Sequence, residues 1–196
     1  MVCIENLIME WSEGETLQAN NRNFIIAATI VICTGITTPL IKAGINLGIL
    51  IQIIQYLAIW GFFTFLPAIL FHYAPIRTDF QFKLFSIYSG FCFVPYLVRN
   101  IIEPLLETTL ATHLDNVWDI EMIKQSTNNF LFQTTIFFYI AIPIIAFCLI
   151  IVFLGISMKK VYEISIEKAM LIAIPFVFSA YFLSIIVGNF MLLLLI

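Results

Sequence analysis

Charge is scarce in this chain. Nine Lys or Arg and twelve Asp or Glu make up 11% of 196 residues, whereas soluble globular domains carry about 25%. So few charges cannot cover a water-exposed surface, which excludes a soluble enzyme and a disordered tail. The net charge of −3 removes any broad attraction for nucleic acid. Histidine is limited to His72 and His113. Cys3, Cys33, Cys92 and Cys148 are scattered, with no CxxC pair, so neither a disulfide framework nor a zinc site is expected. Glu5, Glu10, Glu13 and Glu15 stand where a cleavable signal peptide would carry cations. HExxH, GxSxG and GxxxxGK[ST] motifs are missing too, and the expectation is a non-enzymatic protein without cofactor or metal.

What is present is apolar. Hydrophobic residues make up 62% of the chain, 20 of them Phe, and the mean hydropathy is +1.05. Residues 23–41, 43–76, 84–98, 125–158 and 169–196 are free of Lys, Arg, Asp and Glu. A membrane-spanning helix needs about 20 largely apolar residues. The third stretch reaches that length only when Lys83 and Arg99 extend toward the membrane surfaces. The reading is an all-α membrane bundle of five helices near 24–41, 46–71, 82–102, 130–156 and 169–195. They form one domain, 23–196, preceded by a short amphipathic segment, 1–22.

Cation placement gives an orientation. With five crossings, Arg22, Arg77, Lys83, Lys159, Lys160 and Lys168 share one side, and Lys42, Arg99 and Lys124 the other. The positive-inside rule then places the N-terminus in the cytoplasm and the C-terminus outside. Each span holds one proline: Pro39, Pro67, Pro95, Pro143 and Pro175. Ordinary bundle packing accounts for them, and kinks that open a cavity are the sharper alternative. Two segments suit the membrane surface. Ile4, Leu7, Ile8 and Trp11 fall on one helical face. From Pro104, a short amphipathic helix runs through Leu105, Leu106, Leu110, Leu114 and Trp118.

Polar groups inside the spans are the candidate functional residues. Gln52 and Gln55, with Asn46 and His72 on the same span, serve either as interhelical hydrogen bonds or as the wall of a polar path. Arg99 has Glu103 four residues on, and Glu107 follows at the same spacing. A structural pair is the simpler reading, and a gate for an ion or small molecule the functional one. Glu103 with Glu107 and Asp115 with Asp119 are too few carboxylates for a dedicated cation site. Lys159, Lys160, Tyr162 and Lys168 form a charged turn that either anchors the bundle to headgroups or docks a partner. Ser165 suits the N-cap of the last span, with Glu167 in its first turn.

Two stretches resemble a known family. Phe80-Gln-Phe-Lys83-Leu-Phe-Ser-Ile-Tyr88-Ser89-Gly90-Phe-Cys-Phe-Val-Pro95-Tyr96-Leu is similar to the third helix of the Ypt-interacting-protein (Yip) domain family. Leu154-Gly-Ile-Ser157-Met-Lys159-Lys160-Val-Tyr162-Glu163-Ile-Ser165-Ile-Glu-Lys168-Ala169 is similar to its connection between helices four and five. The resemblance implies a five-helix membrane domain with a cytoplasmic N-terminus. It also implies a role in organising or assisting other membrane components. Beyond the lipid bilayer, the implied partners are transporter subunits in a prokaryotic cell membrane or, in early secretory membranes, a Rab-type GTPase. A second copy of the chain is a further open partner. The chain lacks the long cytoplasmic N-terminal region of eukaryotic members, which favours the prokaryotic setting. The competing function is a small-molecule or ion transport subunit with its path along span 2.

Overall fold

Asn20 begins the first helix by accepting a hydrogen bond from the Asn23 N–H at 2.8 Å, which satisfies one of the free donors of the first turn. The helix, α1 (Asn21–Ala43), ends at Gly44, whose φ of 68° lets its N–H close back onto the Leu40 carbonyl. The computed structural model describes residues 19–44, 47–73, 82–114 and 130–193. The remaining helices are α2 (Leu47–Tyr73), α3 (Phe82–Phe91), α4 (Val94–Leu114), α5 (Phe130–Tyr162) and α6 (Ile166–Leu193). No strand occurs among the described residues. With α3 and α4 counted as one span, five stretches are long and apolar enough to cross a membrane. The protein is an all-α, five-span bundle.

Polar contacts sort the helix ends into two groups. The Lys83 ammonium donates to the Asn21 side chain at 2.7 Å, so the starts of α1 and α3 share one end of the bundle. Lys42 at the end of α1 pairs with Glu107 of α4, and Glu107 accepts from the Tyr139 hydroxyl of α5 at 3.2 Å. These mark the opposite end. Close approach between helices relies on missing side chains. A Cβ on Gly90 of α3 would lie 2.7 Å from the Ala27 Cβ, and one on Gly35 of α1 would lie 2.8 Å from the Ile53 Cα. Such contacts supply the van der Waals packing that holds helices together in lipid.

The third span is the centre. In its most apolar window 56% of residues are buried, against at most 28% in any other span. Every residue from Leu84 to Gly90 is buried, because α3 packs against α1, α2 and α5 at once. Phe85, Tyr88, Leu154, Met158 and Tyr162 fill this half of the core. By contrast, α5 turns Phe137, Phe138, Ile140, Ile144 and Ile145 outward, as a lipid-facing wall should.

Several expectations are corrected. The third span is two helices, broken at Cys92 and Phe93. Pro95 has no N–H to give the Phe91 carbonyl, and it sits as the second residue of α4, where that loss costs least. The Cys92 N–H is shared between the Tyr88 and Ser89 carbonyls at 3.2 Å. Pro39, Pro67, Pro143 and Pro175 lie inside unbroken helices. No separate surface helix starts at Pro104, which is buried within α4; Leu105, Leu106 and Leu110 continue the same helix to Leu114. Arg22 lies inside the first turn of α1, and α5 runs to Tyr162, six residues past its expected end at 156. Residues 1–18, Asn46, Arg77, Asp79, Asp115, Trp118, Asp119 and Lys124, and the side chains of His72, His113 and Leu114, lie outside the described residues.

Candidate functional site

The break redirects the third span. α3 packs on α2, whereas α4 packs mainly on α1 and α5. The departure of α4 from α2 leaves a cavity of about 260 Å³ at the Lys42 end. Gln52, Gln55, Tyr56 and Phe63 line it from α2, and Tyr96, Arg99, Asn100 and Glu103 from α4. Tyr181 and Ser184 of α6 and Thr38 and Lys42 of α1 complete the wall. From Gln52 to Phe63 along α2 the cavity runs about 16 Å at 1.5 Å per residue.

Inside it, Arg99 and Glu103 form a two-pronged ion pair. The guanidinium Nε and Nη2 donate to the two carboxylate oxygens at 2.8 and 3.1 Å, the geometry that makes such pairs strong. The guanidinium carbon also lies 5.8 Å from the centre of the Tyr96 ring. The next residue, buried Asn100, donates from its amide to the Thr34 carbonyl at 2.8 Å and to the Tyr56 hydroxyl at 3.1 Å. This pins α4 to α1 and α2 together. Gln55 donates to the Ser184 carbonyl of α6 at 3.2 Å, and its amide rests where a side chain on Gly188 would collide with it. Gln52, which lines the same cavity, makes no hydrogen bond with another described residue.

The four polar residues Gln52, Gln55, Arg99 and Glu103 therefore surround one space. Glu107 is outside it, engaged by Lys42 and Tyr139. Residue type alone missed Tyr56, Tyr96, Asn100, Tyr181 and Ser184; Asn100, adjacent to Arg99 in an apolar run, is the one with a visible signal.

The charged turn lies at the other end, about 24 Å away along α6 from Ser184 to Lys168. Lys159 and Lys168 are exposed, and Lys160 is half-buried. Tyr162 is corrected: it is fully buried, its ring 5.2 Å from that of Phe85. The helical continuation of α5 turns it into the core and shortens the turn to residues 163–165. There Glu163 takes φ of +52°, and the Ser165 hydroxyl caps α6 by accepting from the Lys168 N–H at 3.4 Å.

A third polar cluster is internal. The Trp60 indole and the Ser89 hydroxyl both donate to the Ser86 carbonyl, at 3.0 and 3.1 Å. Thr64 lies 3.3 Å from Ser89, and Cys92 3.6 Å from Ser157. These groups satisfy one another just before the break. No group of three His, Cys, Asp or Glu able to hold a metal occurs among the described residues. Comparison with protein-family models, curated proteins and solved structures finds no match. Five long apolar helices define an integral membrane protein, and the charged cavity is its candidate site.

Proposed function

We propose that the chain is a non-enzymatic membrane protein that captures a small polar solute in the Arg99 cavity and assists other membrane components. One observation carries this reading: a paired Arg and Glu, two glutamines and three tyrosines line a single cavity between spans, where intramembrane charge is costly to maintain. The cavity has a floor. Phe63 is 2% exposed, and the ring of Phe93 sits 5.7 Å from it. Beyond them the core of α3 is filled. A blind cavity suits capture better than conduction by the isolated chain, which is why assistance is favoured over the transport subunit with a path along α2.

Orientation follows the cations. Arg22, Lys83, Lys159, Lys160 and Lys168 belong to the tight end, and Lys42 and Arg99 to the cavity end. The tight end is then cytoplasmic and the cavity faces outward. The Yip-like stretches support a role beside other membrane components, with transporter subunits or a Rab-type GTPase as the partners that the resemblance implies. Two measurements test the reading. In a background without native cysteines, Glu163→Cys and Gly44→Cys should react with a membrane-impermeant thiol reagent from opposite sides. Gln52→Cys should react from the Gly44 side, whereas lipid-facing Leu171→Cys should not. Solute flux through liposomes holding only this chain would favour the transport reading; stoichiometric recovery of a membrane partner would favour assistance.

A further inference from the structure

The cavity's chemistry narrows what it can hold, given the reading that it is a solute site. Glu103 occupies two of the guanidinium N–H donors of Arg99, leaving three of the usual five for another acceptor. The Glu103 carboxylate retains lone pairs beyond those two bonds. Tyr56, Tyr96 and Tyr181 share the lining with it, and aromatic faces beside a carboxylate attract ammonium groups. Across the cavity Gln52 offers both a donor and an acceptor.

Charge balance points the same way. Arg99 is neutralised by Glu103 and Lys42 by Glu107, so a ligand of net charge would be buried without compensation. A neutral ligand carrying both signs would not. The volume of about 260 Å³ corresponds to about nine waters at ~30 Å³ each, which suits a headgroup-sized molecule.

A second space suggests how such a molecule arrives. A groove between α2 and α6 is lined by Gly48, Ile51, Ile185 and Gly188, and it shares Gln52 and Gln55 with the cavity. Leu47, Leu50, Ile185 and Ile186 around it are exposed on helices that face lipid. An acyl chain can lie in the groove while the polar head reaches past the two glutamines.

We infer that the cavity binds a small zwitterion, its acid group on the free donors of Arg99 and its ammonium on Glu103 and the tyrosines, supplied as a phospholipid headgroup through the α2–α6 groove. Glycerophosphoethanolamine, free or with its acyl chains, carries this chemistry, and the groove selects the lipid.

The full chain in detergent, titrated by native mass spectrometry, separates the outcomes. Short-chain phosphatidylethanolamine should bind about tenfold more tightly than phosphatidylglycerol, the worth of one charge-assisted contact. Glu103→Gln should remove that preference, whereas Arg99→Gln should weaken both lipids, since both carry the phosphate that Arg99 would hold. Tyr181→Ala, at a half-exposed position that the fold tolerates, should weaken phosphatidylethanolamine binding about threefold, cation–π contacts being modest. Ile185→Trp, in the groove and not in the cavity lining, should weaken binding of the lipid but not of soluble glycerophosphoethanolamine. Equal binding of the two lipids, or a preference that survives Glu103→Gln, overturns the zwitterion. Soluble glycerophosphoethanolamine binding as tightly as the lipid, or indifference to Ile185→Trp, overturns the lipid route. The impermeant-reagent result at Gln52→Cys is separate: failure there removes the cavity itself as a solute site.

Discussion

The two halves of the third span differ in company more than in composition. α3 is surrounded by three helices and buried on every side, so its polar groups bond inward: Ser86 and Ser89 are tied to Trp60 and Thr64. α4 follows after two residues, leaves α2, and presents Tyr96, Arg99 and Glu103 to a cavity. One break in one helix thus divides the bundle into a tight end and an open end. Polarity stabilises packing at the first and remains accessible at the second. The lesson is that a polar residue in a span takes its role from where neighbouring helices diverge.

The largest expected effect tests that division directly. Phe85→Ala should lower stability by about 3 kcal/mol, as for a fully enclosed aromatic, in reversible unfolding from mixed micelles. Tyr181→Ala at the open end, 53% exposed, should lower it by less than about 1 kcal/mol. Equal losses would mean the two ends are packed alike. Next is the ion pair, with side chains 28% and 17% exposed. Glu103→Gln should lower stability by about 1–2 kcal/mol, between the surface and buried limits. Adding Arg99→Gln should recover most of that loss, and a double-mutant cycle with no coupling would show that the pair acts only on the solute.

At the tight end the effects become smaller and change sign. Glu163 holds a left-handed backbone that only glycine adopts freely, so Glu163→Gly should raise stability by about 1 kcal/mol. A loss instead would show that the Glu163 side chain has a role in the turn. The smallest effect on folding belongs to Lys159→Gln with Lys160→Gln, because the attraction of each ammonium to anionic headgroups, about 1 kcal/mol, seats the bundle at the membrane surface and does not hold its helices to one another. The unfolding midpoint should stay put. If the turn docks a partner, that partner should be lost on purification; a folded double variant that retains it leaves the turn an anchor.

The five spans were legible because charge-free runs of the required length are hard to explain otherwise. Their ends were less so. The Asn20 cap and the extension of α5 to Tyr162 depend on local hydrogen bonds and on a pocket beside Phe85, neither of which hydropathy registers. The break at Cys92 was hidden among five prolines that look equivalent along the chain; only Pro95 coincides with a helix that changes neighbours. In the cavity, Gln52, Gln55, Arg99 and Glu103 stood out as polar side chains in apolar surroundings. Tyr56 and Tyr181 did not, since tyrosine is ordinary in a membrane helix. The bond from Asn100 to the Thr34 carbonyl spans 66 positions and exists only once three helices have met.

The bond from Gln55 to the Ser184 carbonyl reaches further still, across 129 positions, and it bears on the order in which the protein is made. Until α6 emerges from the ribosome, the wall carrying Gln52 and Gln55 lacks its α6 neighbour. A nascent chain of four spans therefore carries an unfinished polar seam within the bilayer. Arrival of α6 closes it, so insertion of that helix and the pairing of Gln55 are one event. Any surveillance that recognises exposed amides in lipid would distinguish a chain that holds α6 from one cut before it by this seam alone.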